Sequence, residues 1–280
     1  MTIALIDVHD LHANLNNADW LLLDCQYDLM DKDAGHAAYR KAHIPGAVYV
    51  RLDTDLSNHK ANTGGRHPLP EQQQLIALFS ALGITPTTQV LAYDASAGAF
   101  AARLWWLLRY AGHAKVAVLN GGLNSWLEAG YPVESKESAA TPAQSQFQAA
   151  FTDTMFIDHT QVPHSKLLID SREPERYRGE QEPIDPIAGH IPGAVNRCWK
   201  QNINASGEFK PATELAAELQ QLFADVPPQE SVFYCGSGVS ACHNLLATAH
   251  AGLPLPVLYP GSWSEWCADP ARPIATGEAG

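Results

Sequence analysis

The chain alternates short apolar runs with longer stretches of helical periodicity. In the first half, strands are predicted at 20–25, 89–93 and 115–119, and helices at 70–82 and 98–110. In the second half, strands are predicted at 167–170, 231–234 and 257–259, and helices at 212–223 and 239–250. Glycines that end helices follow three of these stretches, at positions 83, 112 and 252. This alternation is typical of α/β units around a mainly parallel sheet.

One six-residue segment occurs twice, roughly half a chain length apart. His43–Val48 and His190–Val195 both read His-Ile-Pro-Gly-Ala-Val. Similar segments flank both copies in the same order, which indicates a duplicated unit. We therefore predict two tandem domains of one fold, at 1–135 and 156–280. The stretch from Glu134 to Ser145 is rich in Ser, Ala, Glu, Pro and Gln without apolar periodicity, and predicts a linker within 136–155.

The two halves differ after an equivalent apolar strand. The first half has Tyr93-Asp94-Ala-Ser96, and the second has Tyr234-Cys235-Gly-Ser237. If chemistry depends on the cysteine, the second domain is catalytic and the first, with Asp94, is not.

Charge and composition exclude several classes of partner. The 280 residues carry a formal net charge of −12, whereas nucleic acids and anionic membranes favour basic patches. No apolar run reaches membrane-spanning length, and the N-terminus lacks the basic and apolar regions of a signal peptide. We expect a cytoplasmic protein that binds neither nucleic acid nor membrane.

The cysteines and histidines do not predict a metal site or a disulfide framework. The five cysteines are scattered and form no Cys-x-x-Cys pair, and none of the twelve histidines forms a His-x-x-x-His pair with an acidic partner. No Gly-x-Gly-x-x-Gly segment indicates a dinucleotide site. We therefore expect no metal and no cofactor.

Cys235 has the setting of a reactive cysteine. It follows an apolar strand and precedes the Gly-containing loop 236–238 and a predicted helix. Such a loop forms a cup of backbone N–H groups at a helix N-terminus, which favours a thiolate. The alternative is a buried cysteine that packs as a small apolar residue. Structural roles are expected for the other cysteines, at positions 25, 198, 242 and 267.

Several motifs together resemble the two-domain rhodanese family over nearly the whole chain. They are both His-Ile-Pro-Gly-Ala-Val segments, Asp170-Ser-Arg172, Arg176-Tyr-Arg-Gly179, Cys235-Gly-Ser-Gly-Val-Ser240 and Gly261-Ser-Trp-Ser-Glu-Trp266. The resemblance implies tandem rhodanese domains and a sulfurtransferase that carries sulfur as a Cys235 persulfide. The loop residues expected to hold the terminal sulfur are Gly236, Ser237, Gly238, Val239 and Ser240.

The resemblance also bears on the sulfur donor. The Cys-Gly-Ser-Gly-Val loop resembles that of 3-mercaptopyruvate enzymes, with Ser240 in place of Thr, and Arg176 matches one of their two substrate-binding arginines. The second arginine would fall near 182–185, where this chain has Ile184. Isoleucine cannot bind a carboxylate, so Arg172 or Arg178 would have to compensate. Thiosulfate is the alternative donor.

A proton relay is implied by the same resemblance. The matching residues are Ser237, His43 and either Asp31 or Asp33, acting across the domain interface. The alternative is that His43 orders its own turn, since its twin His190 lies in an identical motif.

A cysteine phosphatase and a non-catalytic module are the other candidate functions. A cysteine phosphatase requires Cys-x5-Arg, and the sixth residue after Cys235 is Ala241. A non-catalytic sulfur-relay or regulatory module is the alternative of another class. We expect a monomer with an active site between its domains, which passes sulfur to cyanide or a thiol, with a thioredoxin-like protein as a candidate acceptor.

Overall fold

The computed structural model describes residues 3–58, 60–61, 63–135 and 145–278. The chain forms two compact units, and each contains a segment taken from the other half of the sequence. The first unit comprises Met1–Asn58, Pro70–Thr152 and Ile203–Phe209. The second comprises His59–Leu69, Asp153–Asn202 and Lys210–Gly280.

The first unit has a parallel sheet with the strand order β1-β5-β4-β2-β3. Its strands are β1 (Leu5–Ile6), β2 (Trp20–Asp24), β3 (Val48–Tyr49), β4 (Gln89–Tyr93) and β5 (Val116–Leu119). Its helices are α1 (Val8–Ala13), α2 (Ala34–Lys41), α3 (Gln72–Ala81), α4 (Ala101–Tyr110) and α5 (Gly122–Glu128). The central strands are almost continuously apolar because both faces of a parallel sheet are covered.

The second unit repeats this arrangement with the strand order β7-β6-β8-β9, again parallel. Its strands are β6 (Leu167–Asp170), β7 (Ala194–Asn196), β8 (Ser231–Tyr234) and β9 (Val257–Leu258). Its helices are α6 (Pro174–Arg178), α7 (Ala212–Phe223), α8 (Ala241–His250) and α9 (Ser262–Trp266). Phe156 pairs with Leu258 in a single parallel bridge, at the edge where the first sheet has β1.

The predicted α/β class with two parallel sheets is confirmed, and each predicted strand and helix is present, with ends that either match or shift by up to three residues. The largest shift is at α4, which begins at Ala101 rather than at residue 98. The other short strands and helices were not predicted, because they lack the continuous apolar run or the helical periodicity that marked the predicted elements.

The duplicated segment forms the same turn in each unit. The N–H of Ala47 donates to the carbonyl of Ile44 at 3.0 Å, and that of Ala194 donates to the carbonyl of Ile191 at 3.1 Å. The turn glycine has a positive φ in both copies, +78° and +83°. Proline followed by such a glycine is typical of a type II turn, which explains why the sequence is identical.

The predicted linker is only partly described. Its residues 136–144 lie outside the described residues, and 145–155 run mainly without regular structure before a short 3-10 helix at Asp153–Met155. Among the described residues, no helix has both the length and the apolar character needed to cross a membrane.

Candidate active site

Cys235 lies at the carboxyl edge of the second sheet, directly after β8. In parallel α/β sheets this edge is where ligands bind. The residue is 1% exposed, and its N–H donates to Ser262 Oγ at 3.1 Å. Its carbonyl and that of Gly236 accept the N–H groups of Trp263 and Ser264 at 3.0 and 2.9 Å. The first turn of α9 therefore fixes the start of the cysteine loop.

Four backbone N–H groups of this loop are available to a ligand. Among the described residues, those of Gly236, Ser237, Val239 and Ser240 donate to no acceptor. Gly238, in the middle of the loop, has a φ of +73°, and a Cβ there would lie 2.3 Å from the carbonyl oxygen of Pro260. Only glycine fits this close approach, so the loop conformation depends on it.

The equivalent loop of the first unit shows what such N–H groups can hold. Asp94 occupies the position of Cys235, and its carboxylate accepts four backbone N–H groups at 2.7–2.9 Å. The donors are Ser96, Gly98, Phe100 and Ala101. A negatively charged side chain at this position is thus stabilised by the loop and the start of the following helix. The interval to the helix is one residue longer in the first unit, where α4 begins at Ala101 and α8 at Ala241.

Two guanidinium groups lie beside the cysteine loop. A Cβ built on Gly236 would be 2.9 Å from Nη2 of Arg66 and 3.5 Å from Nη2 of Arg176. Arg176 was predicted to bind the substrate, whereas Arg66 was not identified from the sequence. Both arginines belong to the second unit, because the segment His59–Leu69 folds with it. A second guanidinium, which the sequence does not provide at Ile184, thus lies beside the loop at Arg66.

Asp185 and Glu182 hold these cations. Arg66 Nη1 donates to one Asp185 oxygen, and Arg176 Nη2 donates to the other at 3.2 Å. Glu182 accepts from Nε and Nη2 of Arg176 at 3.0 and 2.6 Å. Burial raises the pKa of Asp185, and the neighbouring guanidiniums offset only part of that increase. Burial also acts to raise the pKa of Glu182, but the hydrogen bonds from Arg176 and the backbone hold it below its usual value.

The two other predicted arginines have different surroundings. Arg172 is 1% exposed, chelates Asp170 through Nε and Nη2, and also donates to the carbonyl of Gly189 at 2.6 Å. Although burial opposes its charge, Asp170 keeps the pKa of Arg172 above the ordinary value. Arg178 bonds to Glu180 at 2.7 and 2.9 Å on the surface. Neither guanidinium is among the atoms closest to Gly236.

Ser237 has a histidine partner that the sequence analysis did not select. Its Oγ lies 2.8 Å from Nδ1 of His67, and both residues are buried. Arg66 and His67 follow Gly65, which has a φ of +80°, and a Cβ there would lie 2.5 Å from the Gly261 carbonyl. The Gly-Gly-Arg-His sequence at 64–67 was the available signal, but this stretch has no apolar periodicity and no element or role was predicted for it.

The ring of His43 bonds within its own turn, whereas its backbone pairs with Glu134, whose carboxylate lies 3.7 Å from Nε2. Nδ1 donates to the Tyr39 carbonyl at 2.8 Å, and the two rings stack with centroids 4.1 Å apart. His190 repeats this with Tyr177, at 2.8 Å and 3.8 Å. The carboxylates of Asp31 and Asp33 bond to the Asp33 N–H and to Arg51, respectively. The identical contacts of the twin histidines support a structural role for the motif, and a relay through His43 stays a prediction.

The other cysteines differ from Cys235 in their surroundings. Burial raises the pKa of the thiols of Cys25 and Cys198, and that of Cys267 to about 11, so all three stay protonated at neutral pH. Cys242 lies inside α8 and directs its Sγ to the Gly238 carbonyl at 3.4 Å. Within the described ranges, no group of three or more His, Cys, Asp or Glu residues could hold a metal ion.

Comparison with known proteins agrees with this geometry. The model of the rhodanese-like domain matches residues 7–129 and 154–269. A Pseudomonas aeruginosa protein named "Probable 3-mercaptopyruvate sulfurtransferase" is 44% identical over 98% of both chains. Thiosulfate/3-mercaptopyruvate sulfurtransferase 2 of Arabidopsis thaliana is 35% identical over 96% of this chain and 85% of its own length.

Solved structures lead to the same family. The 3-mercaptopyruvate sulfurtransferase of Leishmania major superposes with a TM-score of 0.86 at 31% identity, and the match covers 95% of this chain and 75% of that one. With two matched domains and full-length relatives, the chain belongs to the rhodanese-like family of sulfurtransferases.

Proposed function

We propose that the protein transfers sulfur from 3-mercaptopyruvate to a thiophilic acceptor through a persulfide on Cys235. The observation that carries this proposal is the anion-stabilising setting of Cys235. The loop contains N–H groups without a protein acceptor, and the guanidiniums of Arg66 and Arg176 lie beside it. Asp94, at the equivalent position, supports the ability of such a loop to hold a negative charge.

In the first half-reaction, the Cys235 thiolate attacks the mercapto sulfur of the donor. An S–S bond forms, the donor C–S bond breaks, and its electron pair passes to the carbon that becomes the enolate of pyruvate. That carbon takes up a proton, and Cys235 retains the sulfur as a persulfide. The N–H groups of residues 236–240 stabilise the terminal sulfur, as the resemblance to the family implies.

In the second half-reaction, cyanide or a thiolate attacks the terminal sulfur. The S–S bond breaks, its electron pair returns to Cys235 as a thiolate, and the acceptor leaves as thiocyanate or as a persulfide. The charge on the cysteine therefore alternates between two anions, which suits a site built from N–H donors and guanidiniums. A thioredoxin-like protein is a candidate thiol acceptor.

Arg66 and Arg176 are the proposed binding groups for the donor carboxylate. Two guanidiniums are available near the loop even though Ile184 replaces the arginine expected there. This supports 3-mercaptopyruvate, the donor in the name of the Pseudomonas aeruginosa relative. Thiosulfate remains the second candidate, because the same cations suit any small anion.

His67 is the proposed partner of Ser237 in proton transfer. The Ser237 hydroxyl and His67 Nδ1 are within hydrogen-bond distance at 2.8 Å. Such a pair could deliver a proton to the departing enolate. The contacts of His43 favour a structural role for that residue.

The test is sulfur transfer to cyanide with 3-mercaptopyruvate and thiosulfate side by side. We expect higher turnover with 3-mercaptopyruvate in the wild type and none above background in Cys235→Ser. The matched control is Cys267→Ser, which removes a thiol of the same unit with its pKa raised by burial and should leave turnover intact. Turnover that survives Cys235→Ser would contradict the persulfide mechanism, and a wild type inactive with both donors would favour a regulatory module.

A further inference from the structure

A carboxylate of the protein already lies between the two cations assigned to the donor. The oxygens of Asp185 bond one to Arg66 and the other to Arg176, and its side chain is 3% exposed. The same guanidiniums approach Gly236 of the cysteine loop. Asp185 therefore already bonds to the two guanidiniums that we assign to binding of an anionic donor.

The formal charges of the arginines and carboxylates in this cluster balance among the described residues. Arg172 is matched by Asp170, Arg176 by Glu182, and Arg66 by Asp185. These three cations and three anions give the cluster no excess positive charge, so the donor would bind to guanidiniums that are already paired with carboxylates. Loss of a single carboxylate would leave the cluster with one excess positive charge.

Asp185 is the carboxylate whose charge can be removed with the least effect on the backbone. Glu182 accepts the N–H groups of Ile184 and Asp185, both at 3.1 Å, and so shapes its own loop. Asp170 accepts the N–H of Arg172 at 2.9 Å. The hydrogen bonds of the Asp185 side chain go to the two guanidiniums.

We propose that Asp185 determines the charge selectivity of the donor site, by neutralising Arg66 and so disfavouring dianions relative to monoanions. This inference rests on the proposed function, since it takes the region beside the Cys235 loop as the donor site. Coulomb energy scales with the product of the charges, so the Asp185 charge costs a dianion twice the free energy that it costs a monoanion. The fold-change for a dianion is then the square of that for a monoanion. 3-Mercaptopyruvate carries one negative charge and thiosulfate two, so Asp185 favours the former.

The experiment measures binding without turnover. Pyruvate, a monoanion, and thiosulfate, a dianion, are titrated by calorimetry into the full chain carrying Cys235→Ser, with and without Asp185→Asn, at constant ionic strength and pH 8. We expect Asp185→Asn to lower the Kd of pyruvate about tenfold and that of thiosulfate about 100-fold. The charge product makes the second fold-change the square of the first. Asp185→Ala, which also removes the charge but leaves no amide, should show the same squared relation.

The matched control is Asp225→Asn. Asp225 is exposed in the turn after α7, and its replacement changes the net charge of the chain by the same amount. The Kd of either anion should stay within twofold in this variant. Thermal unfolding of each variant verifies that the second unit is folded.

Three results would overturn the inference. They are weaker binding of both anions after loss of the Asp185 charge, an equal fold-change for both, and no measurable binding to any variant. Weaker binding would mean that Asp185 only positions the arginines. Failure of the proposed function is seen separately, as absence of Cys235-dependent turnover in the wild type, and it leaves these binding ratios measurable.

Discussion

At the scale of single residues, the duplication places an aspartate at equivalent positions of the two units, where the surrounding charges differ. Asp24 and Asp170 both end the strand next to β4 or β8, in register with Tyr93 and Tyr234. Asp170 has Arg172 two residues later, whereas Asp24 has Gln26 there. Without a cation to offset desolvation, burial raises the pKa of Asp24 to about 6.

This shift predicts a pH-dependent stability of the first unit. The native state binds the Asp24 proton more tightly than the unfolded state, so the stabilisation is complete below the unfolded pKa of about 4 and is lost as the pH rises through about 6. The loss amounts to roughly 3 kcal/mol. In Asp24→Asn, the free energy of unfolding by urea should vary less between about pH 4 and pH 7 than in the wild type.

Asp170→Asn is the matched control for this prediction. It leaves the buried Arg172 without its main counter-ion and should cost about 3 kcal/mol of stability at neutral pH. A wild type whose pH dependence equals that of Asp24→Asn would contradict the raised pKa of Asp24.

The two candidate relay histidines can be separated by substitution. His67→Ala removes the ring next to Ser237 and should lower kcat with 3-mercaptopyruvate by about 100-fold, the usual lower range for acid–base catalysis. His43→Ala removes the ring stacked on Tyr39 and should lower Tm while kcat changes little. Steady-state kinetics and thermal unfolding of both variants test this, and the reverse pattern would restore the relay through His43.

At the scale of elements, the loop between strand and helix decides which unit can react. After β4 the loop N–H groups donate to the Asp94 carboxylate, so an anionic side chain of the protein itself fills this loop. After β8 the shorter loop begins with Cys235, whose sulfur can exchange between thiolate and persulfide. In the proposed mechanism, the same strand–loop–helix unit thus serves folding in one half and chemistry in the other.

Two glycines at the ends of α8 test how far the chemistry depends on loop shape. Gly238 and Gly252 have similar φ values, +73° and +75°, but a Cβ at Gly252 would meet nothing within 4 Å. Gly252→Ala should therefore cost only about 1 kcal/mol of backbone strain, with kcat unchanged. Gly238→Ala must also move Pro260, and displacement of the loop should lower kcat about 100-fold.

Urea unfolding and kinetics of both glycine variants provide the measurement. Similar kcat values in Gly238→Ala and Gly252→Ala would show that the loop tolerates displacement and that its exact shape is not needed.

At the scale of the whole molecule, the domains do not follow the order of the sequence. The segment His59–Leu69 folds with the second unit and brings Arg66 and His67 to the cysteine loop. In turn, Ile203–Phe209 folds with the first unit, where the N–H of Phe209 donates to Asn120 Oδ1 at 2.8 Å. The predicted bounds, 1–135 and 156–280, assign each of these two segments to the other domain.

This exchange predicts that the C-terminal half is not an autonomous enzyme. A fragment of residues 156–280 lacks both Arg66 and His67, and should transfer sulfur no faster than the full chain carrying Arg66→Ala and His67→Ala. Sulfur transfer to cyanide by the fragment, the double variant and the wild type makes the comparison, with circular dichroism as the test of folding. A fragment as active as the wild type would contradict the assignment of the 59–69 segment to the site.

The sequence by itself determined the duplication, the α/β class, and the main strands and helices, and it predicted Cys235 as the reactive cysteine. Each of these leaves a local or periodic signal: buried parallel strands need continuous apolar runs, the Pro-Gly turn needs its six residues, and the cysteine loop needs its glycines. Comparison of the two halves of the sequence also showed that Cys235 takes the position that Asp94 has in the first half.

Only the tertiary structure decided which side chains surround Cys235. Arg66 meets Asp185 across 119 positions and His67 meets Ser237 across 170, in a segment without periodicity. Such pairs form because packing brings distant segments together, and no spacing along the chain encodes them. For the same reason, His67 could not be distinguished among twelve histidines, and nothing in the sequence near Ile184 indicated that Arg66 would lie with Arg176 beside the loop.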